Sequence, residues 1–461
     1  MPLTHWINAK AKLHRCLPAN SIRARLASGT FWSLVAAATT QLSAIAISIV
    51  AARILGQVSF GELAIVNSTV GMLGVFAGFG LGMTATKYVA EFRVKDPVRA
   101  GRIVALSIVV ALFSGGGGSL VLAAFTPELA SRSLAAPHLV LELRIGALLL
   151  FFNAVNGTQL GILAGLEAFQ AIAQVNLLRS LLSLPLVVTG LLLGRLVGAV
   201  AALAVAAAVG CLINQIVVQA QCRRVEIPLQ YRAITSQLPI LWRFSLPAFL
   251  SGGLVGQVSW LANAMLVNQP NGYAEMGVFN AANQWRSAVL FLPHLISQVA
   301  VPILSSIQAA GDTPRLRSVL LGSMLTNAAC ALPLVLILFA SSSLIMSLYG
   351  EQFTQRAAVL QVSLVSAALL AIQTPIGNVI TAYGRMWLGF LMNAGWAACF
   401  LLTARWLLAL GWGAQALASA YLAAYLVHAL WTHWFAASVL SHRNHTQLAP
   451  AERTTIDAQP I

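Results

Sequence analysis

The sequence predicts an all-α polytopic membrane protein with about twelve transmembrane helices, divided six and six. Three observations lead there. First, 59% of the 461 residues are apolar and only 8% are charged, about a third of the charge of an ordinary soluble domain. So little charge cannot cover a water-facing surface. Second, the apolar residues fall into twelve runs, each near the roughly 20 residues that cross hydrocarbon as a helix. Third, the longest internal connection, 221–243, leaves six runs on either side.

The runs are 30–52, 61–85, 103–125, 145–166, 171–193, 197–220, 244–267, 277–301, 318–340, 357–382, 387–410 and 414–438. They define a basic tail at 1–29, a first six-helix lobe at 30–220, the connecting loop, a second lobe at 244–438 and a tail at 439–461. Lipid offers the backbone no hydrogen-bond partner, so the runs must be helices or a closed barrel. Long Ala/Leu/Val stretches lack the ~10-residue alternation of a barrel. Disorder requires low hydrophobicity and high charge. The 35 Gly show no three-residue period, which excludes a collagen repeat.

Lys and Arg number 27 against 12 Asp and Glu, a net charge of +15. In a soluble protein this would suggest nucleic acid. Here the basic residues sit in short connections between apolar runs, where they face anionic lipid and set topology. With the N-terminus inside, nineteen fall on the inner side and six on the outer side. Both termini are therefore expected in the cytoplasm, and no nucleic-acid partner is implied. The first 29 residues have no early apolar core or small-residue cleavage site, so no cleavable signal is expected. Residues 5–26 fit either a basic amphipathic helix on the inner leaflet or a solvated tail. None of the five Cys falls in an outer loop, so no structural disulfide is expected.

A faint internal echo crosses the dividing loop. Phe60, Glu62 and Asn67 match Tyr273, Glu275 and Asn280 at an offset of 213. An even number of spans per half would make this a parallel repeat, which relates two bundles about an axis along the membrane normal.

The chemistry available is limited. There is no GxxxxGK[ST] loop for nucleotide, no HExxH and no zinc-spaced Cys/His cluster. No cofactor or metal is implied, and the outer loops are too short for a catalytic domain. All 12 acidic residues lie in tails, loops or span ends. A buried proton relay of the kind used by proton-coupled drug pumps needs a carboxylate deep in a span.

Two arginines are the informative residues. Arg179 lies about 12 Å in from one side and Arg286 about 13 Å in from the other, at 1.5 Å per residue. Placing Arg there costs roughly 2.5–3.5 kcal/mol. A hydrated cavity that holds an anion offsets that cost. Asn176 shares a helical stripe with Arg179, and Asn280, Asn283 or Gln284, and Ser287 follow helical spacing around Arg286. Such amides serve equally for hydrogen bonds between helices. Arg53 and Lys87 end the first and second runs, as topology anchors or as further binding groups.

The stretches GTFWSLVAAATTQLSAIAISIVAARILGQVSFGELAIVNS (29–68) and FAGFGLGMTATKYVAEFRVKDPVRAGRI (76–103) carry a recognisable order. It runs from an aromatic start through AR-x-LG-x-x-x-FG and a glycine run to Lys-Tyr and a basic Asp-Pro loop. The chain resembles the polysaccharide-biosynthesis (Wzx-type) flippases of the multidrug/oligosaccharidyl-lipid/polysaccharide exporter superfamily. The resemblance implies two six-helix lobes around a central cavity that opens alternately to either side. It implies an undecaprenyl-pyrophosphate-linked oligosaccharide, such as an O-antigen or exopolysaccharide unit, moved from the inner to the outer leaflet of the bacterial inner membrane. Glycan polymerase and export proteins are the implied partners. In such flippases cavity arginines meet the anionic headgroup; no family motif fixes Arg179 or Arg286 for that task. A multidrug or cation antiporter on the same lobes, and a membrane glycan polymerase or ligase, remain as alternatives.

Overall fold

The computed structural model describes residues 22–232, 234–241, 245 and 253–441. The expected tails before Ile22 and after Ser441 lie outside them. Among the described residues every regular element is helical. In chain order these are α1 (Ile22–Gly78), α2 (Leu81–Lys95), α3 (Pro97–Glu128), α4 (Val140–Gly165), α5 (Phe169–Arg224) and α6 (Leu254–Val267). They are followed by α7 (Gly272–Ala309), α8 (Thr313–Ala340), α9 (Ser342–Ser347), α10 (Ala357–Ala382), α11 (Met386–Ala409) and α12 (Ala414–Ser441), with short 3₁₀ or π turns between some.

Two elements are bent pairs. α1 turns at Gly56 (φ 77°), a backbone region that glycine enters without steric cost. α5 turns at Gly194 and Arg195, and Gly190 meets Gly198 backbone to backbone across the bend. Counting the limbs separately accounts for the twelve expected runs, the seventh (244–267) only over 245 and 253–267, its other residues lying outside those described. The second run departs from its drawn form: its helix ends at Gly78 and restarts at Leu81. Phe79 and Gly80 both take positive φ between them. The eighth run is longer than drawn, because polar turns at both ends of α7 continue the helix.

The two ends of the molecule differ. The basic end carries Arg93, Lys95, Arg99, Arg102, Arg223, Arg224, Arg315, Arg317 and Arg385. The opposite end carries the turns around 129–139 and 341–356. Packing follows the same division. At the opposite end one continuous apolar core contains residues of both halves, from Phe60 and Leu134 to Phe279, Tyr349 and Phe400. At the basic end the halves have separate cores. One gathers Val89, Ile103, Ile162 and Val218; the other gathers Leu304, Leu320, Val379 and Phe435. Apolar association is therefore concentrated at one end, which allows the halves to part at the other.

The connecting loop packs on the first half. Ile227 and Ile240 are buried beside Cys222, Arg99 Nε donates to Gln237 Oε1 at 3.2 Å, and Arg102 Nε donates to Gln230 Oε1 at 3.2 Å. Burial pushes the Cys222 thiol up to about 11. Thiolate is the reactive form, so Cys222 is expected to resist maleimide at neutral pH in native protein and to react after denaturation. Mass spectrometry of the labelled peptides reads this directly.

Candidate functional site

α7 carries Arg286 into a nest of tyrosines. Its Nη2 donates to the Tyr425 hydroxyl at 3.2 Å and its Nη1 to Asn283 Oδ1 at 3.3 Å. The guanidinium carbon stands 4.5 Å from the centre of the Tyr421 ring, within the range of a cation–π contact. Both tyrosines come from α12, one turn apart, so a single helix face supplies ring and hydroxyl. Phe400 packs on Tyr421 at 4.2 Å and Trp396 on Tyr425 at 5.6 Å, which fixes the rings. No carboxylate pairs with Arg286 among the described residues. Its Nε is buried without a partner among them, and a charged buried donor left in that state is costly. The nest holds the cation in place while leaving its charge uncancelled.

Arg179 lies in the other half. Its stem runs along Gly210, where a Cβ would come 3.1 Å from Arg179 Cδ. Glycine thus admits the long side chain between the limbs of α5. A seam of amides lies beside it. Asn214 donates to Asn156 Oδ1 at 2.9 Å, Asn156 donates to the Ala207 carbonyl, and Gln159 donates to Gln215 Oε1 at 3.0 Å. These bind helices together, the structural role open to such residues from the outset.

The remaining candidates are scattered. Asn176, Asn280 and Gln284 are all half-buried, and the Gln284 carbonyl accepts from Gln41 Nε2 at 3.4 Å, from the opposite half. Lys87 is exposed at the basic end over the Tyr88 ring. Arg53 is at the opposite end, its Nε donating to the Leu348 carbonyl at 2.6 Å. The structure does not gather the seven into one cluster; Arg179 and Arg286 belong to different halves. A cavity of about 540 Å3 in the first half is lined by Asn67, Gly71, Gly74, Gly78, Asn153 and Gly157. Gly80, at the break before α2, lines it as well.

Sequence reasoning missed Tyr421 and Tyr425. They lie some 140 positions from Arg286, and nothing in their local pattern marks them. It also missed how the opposite end is fastened. Each half pins its own turn: Glu62 Oε1 meets His138 Nε2 at 2.7 Å, and Glu275 meets Arg356 at 2.6 Å and the Ala414 N–H at 2.8 Å. Each turn then grips the other half. The Leu134 carbonyl accepts from the Tyr273 hydroxyl at 2.7 Å, and the Leu348 carbonyl accepts from Arg53. Burial first, then the charge of Glu62, raises the Tyr273 phenol above its usual value, so it stays a donor. Arg356→Leu would leave Glu275 buried with one partner fewer. The expected cost is about 1–3 kcal/mol, seen as a lowered unfolding temperature of purified protein.

Residues 26–308, more than half the chain, match the family described as polysaccharide biosynthesis protein. The chain belongs to this family. Among curated relatives, the EPS I polysaccharide export inner membrane protein EpsE of Ralstonia nicotianae is 26% identical over 413 residues, covering 88% of this chain and 92% of that one. The Ralstonia solanacearum protein of the same name is 26% identical over 200 residues, covering 42% and 45%.

Solved structures share the fold of this family member. An inward-facing multidrug resistance MATE family transporter of the MOP superfamily superposes with a TM-score of 0.72 at 17% identity, covering 89% of this chain and 98% of that one. A Vibrio cholerae MATE transporter, VcmN, gives 0.66 at 19% identity, covering 91% and 98%. The two-lobed, twelve-helix architecture expected from the sequence is therefore the fold of this protein.

Proposed function

We propose that the protein moves an undecaprenyl-pyrophosphate-linked oligosaccharide from the inner to the outer leaflet of the bacterial cytoplasmic membrane. A sugar chain and a pyrophosphate cannot cross hydrocarbon alone, because their polar groups would lose water without gaining partners. A wet passage between two lobes supplies those partners while the polyprenyl tail stays in lipid.

The observation that carries the reading is the Arg286 nest: a fixed, uncancelled guanidinium with a buried Nε without a partner among the described residues. Guanidinium binds phosphate oxygens two at a time. Arg286 takes the pyrophosphate, Arg179 adds positive charge from the facing lobe, and Asn176, Asn280 and Gln284 bind sugar. Lys87 stands at the entry, and Arg53 serves the closed end. The basic end is cytoplasmic, by the bias of Lys and Arg, and both termini lie there. The separate cores at that end and the shared core at the other support a state open to the cytoplasm. The export relatives and the family favour this reading over catalysis, so the protein acts as a transporter rather than an enzyme. The buried carboxylates Glu62, Glu142 and Glu275 all lie at the opposite end, which does not favour a cation antiporter.

Reconstitution tests it. Proteoliposomes loaded asymmetrically with a polyprenyl-pyrophosphate oligosaccharide should expose glycan on the far leaflet only when the protein is present. Movement of cationic dye without movement of glycan would overturn the proposal.

A further inference from the structure

A second cavity, of about 600 Å3, lies at the opposite end, and neither Arg179 nor Arg286 lines it. Its wall is apolar, built from Leu261 and Met265 on α6 and Leu408 on α11. Polar lining comes from Arg405 on α11, Asn268 just beyond α6, and Ser133 from the turn of the other half. Leu261 is 45% exposed, so the wall opens outward.

We propose that this cavity binds one anionic phospholipid of the bilayer, with its phosphate on Arg405 and an acyl chain along Leu261 and Met265. Three features carry the assignment. Arg405 meets no carboxylate among the described residues, so its charge is available to an anion. Trp406 and Trp412 stand exposed beside it, and indoles at a helix end mark the depth of lipid headgroups. Along α6 the lining passes from Leu261 and Met265 to Asn268 at the helix end, from apolar to polar, as a phospholipid does.

Asn268 adds detail. Its Nδ2 is committed to the Ser133 and Ala264 carbonyls, both at 2.7 Å. That leaves its amide oxygen to accept from a hydroxyl-bearing headgroup, so phosphatidylglycerol fits better than a headgroup without a donor. Because Ser133 belongs to the first half and the wall to the second, the bound lipid touches both. It therefore favours the state in which this end is closed. The site is independent of the arginine nest, and its test does not depend on transport.

Native mass spectrometry of the full-length protein, released from detergent, reads the site. With phosphatidylglycerol, phosphatidylcholine of the same chains, inorganic phosphate or undecaprenyl phosphate added, one phosphatidylglycerol should be retained where phosphatidylcholine is lost. Arg405→Gln should lower its occupancy about fivefold, the effect of one basic contact at a membrane surface. Met265→Trp, which fills the wall without touching the charge, should lower it as well. Arg144→Gln, an exposed arginine at the same end but outside the cavity, should change nothing. Unfolding temperatures without lipid confirm that each variant is folded. Equal retention of both phospholipids would overturn the proposal. So would unchanged occupancy in both Arg405→Gln and Met265→Trp, or retention of inorganic phosphate or undecaprenyl phosphate alone.

Discussion

Arg286→Ala should cut glycan translocation about 100-fold while leaving protein abundance normal. The size follows from the bonds removed. Hydrogen bonds to charged groups contribute about 1.5–3 kcal/mol each, and a forked guanidinium offers two to one phosphate. Losing about 3 kcal/mol of anion binding corresponds to roughly two decades. Arg286→Lys separates charge from shape. It keeps the cation but loses the planar fork and the flat contact on Tyr421, so an intermediate loss of about tenfold is expected. Tyr425→Phe removes only one hydroxyl at 3.2 Å from Nη2, worth about 1 kcal/mol, and should slow transport a few-fold. The assay is the proteoliposome translocation rate, with quantitative immunoblotting for abundance. If Arg286→Ala and Arg179→Ala both transport normally, the anion site is elsewhere.

The gradation also shows what sequence can and cannot supply. That Arg286 falls well inside a long helix is legible from sequence, because position along a helix is a simple product of residue count and rise. The tyrosine nest is not legible, because contact between α7 and α12 depends on how distant helices pack. The echo between Phe60–Asn67 and Tyr273–Asn280 is partly legible. The structure gives Glu62 and Glu275 similar tasks, each meeting a side-chain nitrogen on its own half's turn, His138 Nε2 and Arg356 Nη2. Phe60 and Tyr273 each reach the other half's turn, one by tilted and edge-on ring contacts with Tyr349 and Phe353, the other by bonding Leu134. Pattern alone marked the pairs but not their partners, because His138 and Arg356 occupy turns with no shared motif. The helix break at Phe79 and Gly80 shows the opposite limitation. Its glycines were visible, but hydropathy does not distinguish a continuous helix from two halves meeting at a bend.

The crossing of the lobes at the opposite end yields the second large effect. α1 and α7 meet through glycines: a Cβ on Gly61 would fall on the Tyr273 carbonyl oxygen and lie 2.9 Å from the Gly277 nitrogen. Backbone cannot withdraw as a flexible side chain can. Gly61→Val therefore penalises the state in which this end is closed, while a state with the lobes parted there has no such clash. Overpacking a buried contact costs about 1–3 kcal/mol, occasionally more, and each 1.4 kcal/mol shifts the ratio of the two states about tenfold. A transporter that alternates needs both states, so translocation should fall to background. Misfolding is distinguished by a positive signal. Phe60 is 1% exposed and is covered by Tyr349 and Phe353 of the other half. In a Phe60→Cys background, adding Gly61→Val should speed maleimide labelling at that position by more than about tenfold, with size-exclusion behaviour unchanged. Slow labelling together with lost transport would mean that the glycine serves only helix packing, and that the lobes do not part at this end.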